Sequence, residues 1–127
     1  MRYETEKLIR TFSEHRKIII GLDFDDTIFP LTISEYIEER CARVQSLIKS
    51  FKKEDIVLCI YTVSDNSSLK YKEFILHSLD INFDYVNRSP VIIGNGDKPF
   101  FNILLDDKAG LNESIEILTE FKKEIYK

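Results

Sequence analysis

The chain has 127 residues, 43% hydrophobic and 31% charged, with a net charge of −4 and a pI near 5.2. That suits a soluble single domain around one core and excludes a disordered chain, while the acidic balance disfavours a broad electrostatic grip on nucleic acid. The first 17 residues are charged throughout, which argues against a signal peptide, and no apolar stretch is long enough to span a bilayer; a reducing cytoplasm is the expected location.

In chain order, residues 3–13 predict a short amphipathic helix with Leu8, Ile9 and Phe12 on one side. Ile18–Phe24 follows as a strand apolar enough to be buried on both faces. Thr32 and Glu35 form a capping box for a helix that carries Ile33, Ile37, Cys41, Val44, Ile48 and Phe51 at helical spacing. Ile56–Tyr61 is a second buried strand. Asn66, Ser67 and Ser68 offer caps for a helix through Leu79, with Leu69, Leu76 and Leu79 inward. Phe83–Val86 is a short third strand and Val91–Ile93 a small fourth, before the turn Gly94-Asn95-Gly96-Asp97. Asn102–Leu105 is the last strand, and Leu111, Ile115, Leu118, Phe121 and Ile125 mark a closing helix. Strands alternating with helices predict an α/β fold, a three-layer, doubly wound parallel sheet in a single domain over residues 1–127.

Several residue types carry no chemistry in this pattern. Cys41 and Cys59 have no CxxC spacing and fall in a helix and a strand, as reduced core residues would. His15 and His77 lack metal-ligand spacing. Lys52-Lys53 and Lys122-Lys123 lie near predicted helix ends, where solvated capping charge explains them.

The acids after the first strand are different. Asp23-Phe24-Asp25-Asp26-Thr27 puts three carboxylates in four residues, at the strand end where open α/β sheets bind their ligands. A fold tolerates such mutual repulsion most readily where a cation neutralises it. Thr62 ends the second strand, Lys98-Pro99 precedes the last one, and Asp106-Asp107 follows it.

DxDxT after an apolar strand, then a strand-ending Thr, a Lys and a late acidic pair, in that order, resembles the haloacid dehalogenase (HAD) superfamily of phosphoryl-transfer enzymes. The likeness covers roughly Ile18 to Lys108, and Phe83–Asn87 with Lys98-Pro99 is similar to its short members. The helices and strands fill the spans between Thr27, Thr62 and Lys98, so no cap domain fits.

The resemblance implies a HAD-type Rossmannoid core and a Mg²⁺-dependent phosphatase. Asp23 would be the nucleophile that forms an aspartyl-phosphate, and Asp25 the general acid and base. Mg²⁺ would bind the Asp23 carboxylate, the Asp25 carbonyl and Asp106, with Thr27 and Asp107 supporting from behind. Thr62 and Lys98 would hold the phosphoryl oxygens. A carboxylate at Asp25 argues for phosphate-ester hydrolysis against dehalogenation. Asp26 stands where many relatives carry Gly, and Ser64 where close ones carry Arg. The implied partner is a phosphorylated substrate, small or macromolecular, with nucleic acid only as a substrate; no membrane partner is expected, and a homo-oligomer stays open. Two other expectations compete. A receiver-like signalling module would use Asp25-Asp26, a phosphoacceptor at Asp65, and Lys98-Pro99; a phosphate-binding protein would use the same groups without turnover.

Overall fold

The computed structural model describes residues 1–88, 90 and 100–127. Its elements are α1 (Tyr3–His15), β1 (Ile18–Asp23), α2 (Glu35–Lys49), a 3₁₀ turn (Lys53–Asp55), β2 (Ile56–Tyr61), α3 (Asn66–Ser78), β3 (Tyr85–Val86), β4 (Ile103–Leu105) and α4 (Leu111–Ile125). The expected strand Val91–Ile93, the turn after it and Lys98 lie outside the described residues.

The strands form one all-parallel sheet in the order β3-β2-β1-β4, compatible with a Rossmann-like fold. The register pairs Ile18 with Ile56 and Ile20 with Leu58 and Ile103. Side chains alternate along a strand, so Ile18, Ile20, Leu22, Ile56, Leu58, Ile60, Ile103 and Leu105 share one face, and every one is buried. The opposite face carries Ile19, Gly21, Asp23, Val57, Cys59, Tyr61 and Leu104, of which only Gly21 and Cys59 are fully buried. Phe101 lies over Gly21 so closely that a Cβ there would sit 2.9 Å from its ring, and it meets Tyr61 edge-on with centroids 6.1 Å apart.

The helices join the core through a chain of aromatic contacts. Phe121 of α4 takes Phe12 of α1 edge-on at 5.8 Å and stacks with Phe51 at 6.1 Å. Polar contacts between α1 and α4 reinforce this: Arg2 pairs with Glu120 at 3.0 Å, and the buried Thr5 hydroxyl donates to Glu120 at 2.6 Å. Cys41 and Cys59 are free, buried thiols, and burial pushes both up to about 11.

Side chains complete the ladder where the strands are short. Asp84 exchanges bonds with Leu58, its backbone N–H donating to the Leu58 carbonyl and its carboxylate accepting from the Leu58 N–H. Asn102 does the same with Ile19. Residues 83–84 and 102, expected within strands, therefore pair partly through side chains, and β3 and β4 come out shorter than expected.

The helix entries also differ from expectation. Ser34, not Thr32, caps α2 and accepts from the Ile37 N–H, because Asp26 holds Thr32 in the preceding loop. Ile33 therefore lies outside the helix and is 97% exposed, where the spacing placed it inward. Asp65, one residue earlier than expected, caps α3 through the Ser68 N–H. Phe51 is buried beyond the end of α2, which stops at Lys49.

Candidate active site

Because every pairing is parallel, the ends of β1, β2, β3 and β4 open onto one edge of the sheet. The chain leaves β1 toward β2 and β3, then returns to the other side of β1 as β4. The crevice between β1 and β4 is thus the point where strand order reverses, the usual ligand position in open α/β sheets. Asp23 ends β1 and Asp106-Asp107 follow β4. One carboxylate oxygen from each of Asp23, Asp106 and Asp107 lies within 4.8 Å of the others, the one such acidic group among the described residues.

Thr27 ties Asp23 to Asp107. Fully buried, its hydroxyl accepts from the Asp107 N–H at 2.9 Å and directs its single proton toward Asp23 Oδ2 at 3.2 Å, with Asp107 Oδ1 at 3.4 Å. Burial pushes the Asp23 carboxyl up to about 7, helped by its hydrogen bond to Asp107 and the charge of Asp106, against a smaller opposing bond from Thr27. Three hard oxygen donors with excess negative charge fit a divalent cation such as Mg²⁺. Asp107 belongs to this group together with Asp106.

The loop after β1 is wound tightly. The Phe24 carbonyl accepts from the N–H groups of Thr27, Ile28 and Phe29, and Phe24 and Phe29 stack at 5.8 Å. Asp26 adopts φ 60°, the left-handed conformation that favours Gly, which accounts physically for Gly being acceptable there. Its carboxylate accepts from Leu31 N at 2.8 Å, Thr32 N at 2.7 Å and the Thr32 hydroxyl at 2.6 Å. Burial alone would raise the Asp26 carboxyl, but the Thr32 and Leu31 bonds hold it below the usual carboxylate range.

No protein-family model, curated protein or solved structure matches this chain.

Asp25 and Thr62 are brought together by a residue the sequence reading passed over. Lys72 of α3 donates from Nζ to Thr62 Oγ1 at 2.6 Å and lies 3.4 Å from Asp25 Oδ2. Its side chain is only 13% exposed and its ammonium sits 5.2 Å from the centre of the Phe24 ring. Thr62 is fixed from the other side, where Asn87 Oδ1 accepts from its N–H at 2.8 Å, and its hydroxyl lies 3.3 Å from that of Ser64. A signal for Lys72 was present. It falls three residues after Leu69 and four before Leu76, on the apolar stripe of α3, where a lysine needs an anionic or hydroxyl partner.

The described residues thus place Asp23, Asp106, Asp107 and Thr27 in one cluster, and join Asp25 to Thr62 through a cation. Lys98 lies outside them.

Proposed function

We propose that this protein is a Mg²⁺-dependent phosphatase of the HAD type, hydrolysing a phosphate monoester through an aspartyl-phosphate on Asp23. The observation that carries the proposal is the juxtaposition, at one sheet edge, of the Asp23–Asp106–Asp107 group with the Asp25–Lys72–Thr62 bridge. A bare acidic cluster would bind a cation; a cation site with a neighbouring ammonium and hydroxyl also offers donors to a phosphoryl group.

Asp23, Asp106 and Asp107 are the residues that would hold Mg²⁺, with the Asp25 carbonyl as a further oxygen donor. The bound ion would supply positive charge, offsetting the burial and the neighbouring acids that push the Asp23 carboxyl up to about 7 and favouring the ionised nucleophile. An Asp23 oxygen attacks phosphorus, the ester P–O bond breaks, and the leaving oxygen takes a proton from Asp25, releasing the alcohol. Water then gives a proton to Asp25 and attacks phosphorus, which releases inorganic phosphate and regenerates Asp23. The proton returned to Asp25 restores it as the acid for the next cycle. Thr62 and Lys72 donate to the non-bridging phosphoryl oxygens, and Lys72 offsets their charge.

The receiver-like alternative fares less well. It needs Asp65 as phosphoacceptor, whereas Asp65 is committed to capping α3 and its carboxyl is held low by the Ser68 N–H.

Phosphate release from a generic aryl phosphate, with and without Mg²⁺, tests the proposal in wild type and Asp23→Asn. Mg²⁺-dependent turnover that disappears in the variant is expected. Wild-type turnover that survives Asp23→Asn would overturn the assignment, and trapping with beryllofluoride distinguishes Asp23 from Asp65 as acceptor.

A further inference from the structure

Thr62 stands one residue beyond the end of β2, where the strand-to-strand pairing has stopped. The β2–β3 register matches Cys59 with Tyr85 and Ile60 with Val86, and β3 ends there. One step further, Asn87 falls opposite Tyr61. In a parallel ladder a residue so placed donates its N–H to one neighbour of its partner and accepts at its carbonyl from the other. Asn87 makes both bonds with one exchange of atoms. Its N–H donates to the Ile60 carbonyl at 2.7 Å, while its side-chain Oδ1 accepts from the Thr62 N–H at 2.8 Å in place of a main-chain carbonyl. Asp84 and Asn102 complete the ladder in a similar way, but on Leu58 and Ile19, inside the strands. Asn87 acts at the carboxyl edge, on a residue of the candidate site.

The backbone accounts for the residue type. Asn87 has φ 55°, a left-handed conformation that Asn adopts more readily than most residues. The main chain therefore leaves the strand direction while the carboxamide stays behind as the acceptor. Three requirements meet here: a left-handed backbone, an oxygen within reach of the Thr62 N–H, and no negative charge beside a phosphoryl site. Gly would satisfy the first and third, and Asp the first two.

Lys72 donates to the Thr62 hydroxyl at 2.6 Å, and the Ser64 hydroxyl lies 3.3 Å from it. Those contacts orient the hydroxyl, while the Asn87 bond fixes the main chain that carries it. We infer that Asn87 is a positioning residue for phosphoryl transfer, holding Thr62 so that its hydroxyl and the Lys72 ammonium meet the phosphoryl oxygens together. The inference rests on the phosphatase reading above, in which a small misplacement of a preorganised donor is costly.

The test is steady-state kinetics on an aryl phosphate with two variants at this exposed position. Asn87→Gly keeps the left-handed backbone and loses the acceptor. Its kcat/KM should fall about tenfold, the scale of one hydrogen bond, chiefly through kcat. The Mg²⁺ concentration for half-maximal activity should stay unchanged, because Asp23, Asp106 and Asp107 are held by other contacts. Asn87→Asp keeps an oxygen acceptor, so its kcat should return toward wild type while its added charge raises KM. Since the effect passes through Thr62, Thr62→Val/Asn87→Gly should be no slower than Thr62→Val. A wild-type kcat in Asn87→Gly, a kcat as low in Asn87→Asp as in Asn87→Gly, or a raised Mg²⁺ requirement that accounts for the loss overturns the inference and leaves the phosphatase proposal standing. Absence of Asp23-dependent turnover of any phosphate ester overturns the phosphatase proposal, and this inference falls with it.

Discussion

Lys72 shows how one side chain can join groups supplied by different strands. Its ammonium reaches Thr62, after β2, and Asp25, after β1, while its stem lies along Phe24. Replacement by Met keeps the length and apolar stem but removes the charge. Lys72→Met should lower kcat/KM about 100-fold, chiefly through kcat, as expected when one preorganised donor to a transition-state oxygen is lost. A fall in melting temperature with normal turnover would instead make Lys72 a structural tie. Asp26 is equally local in its effect: its left-handed backbone turns the chain and its carboxylate receives three bonds from residues 31–32, so an acid beside the site is used up in shaping the loop.

At the scale of elements, β1 is the strand on which both halves of the sheet depend, and its weakest tolerance is at Gly21. A Cβ there would meet Phe101 at 2.9 and 3.0 Å and Leu104 at 3.2 Å. Gly21→Val should therefore destabilise the fold by about 2 kcal/mol, read as a lower denaturant midpoint, because Phe101 must be displaced from the sheet. The strands β1 and β2 were legible as short continuous apolar runs bounded by polar residues, too short for a buried helix, and α4 by apolar residues at helical spacing. The entries to α2 and α3 were less so: the α2 cap depends on Asp26 folding back onto Thr32, which local patterning does not encode, and at α3 the adjacent Asp65, Asn66, Ser67 and Ser68 are all cap-forming types, so the pattern does not select Asp65 among them. The acids of the site were legible as a spacing; Lys72 was not, since a lysine in a helix ordinarily belongs to its solvated face, and only its place on the Leu69–Leu76 stripe distinguished it.

For the molecule as a whole, the burial of Asp23 beside Asp106 and Asp107 makes stability depend on pH. Asp23 keeps its proton to about pH 7 when folded, against an ordinary value of 3.8. Between those limits the folded chain binds more protons than the unfolded one, so this contribution is fully present below about pH 4 and is lost as pH rises through 7. Without divalent ions, the wild-type melting temperature should fall relative to Asp23→Asn across that window, and at pH 8 the variant should melt higher by about 3 °C, as about 1 kcal/mol gives in a domain of this size. Parallel melting curves for the two proteins across pH would contradict the upward shift that burial, with the neighbouring acids, gives the Asp23 carboxyl. No helix among the described residues is long and apolar enough to cross a membrane.

Thr27 and Asp107 bond to one another across 80 positions of sequence, linking the loop after the first strand to the loop after the last. Any ion held between Asp23 and Asp106-Asp107 would close that same long loop as a non-covalent staple. Most of the chain lies inside the loop, so its closure entropy would already be met when the ion is bound, and fraying of the short edge strand β4 would require releasing the ion first. Starving the protein of divalent metal would then loosen one border of the sheet selectively, before the β1–β2 centre gives way.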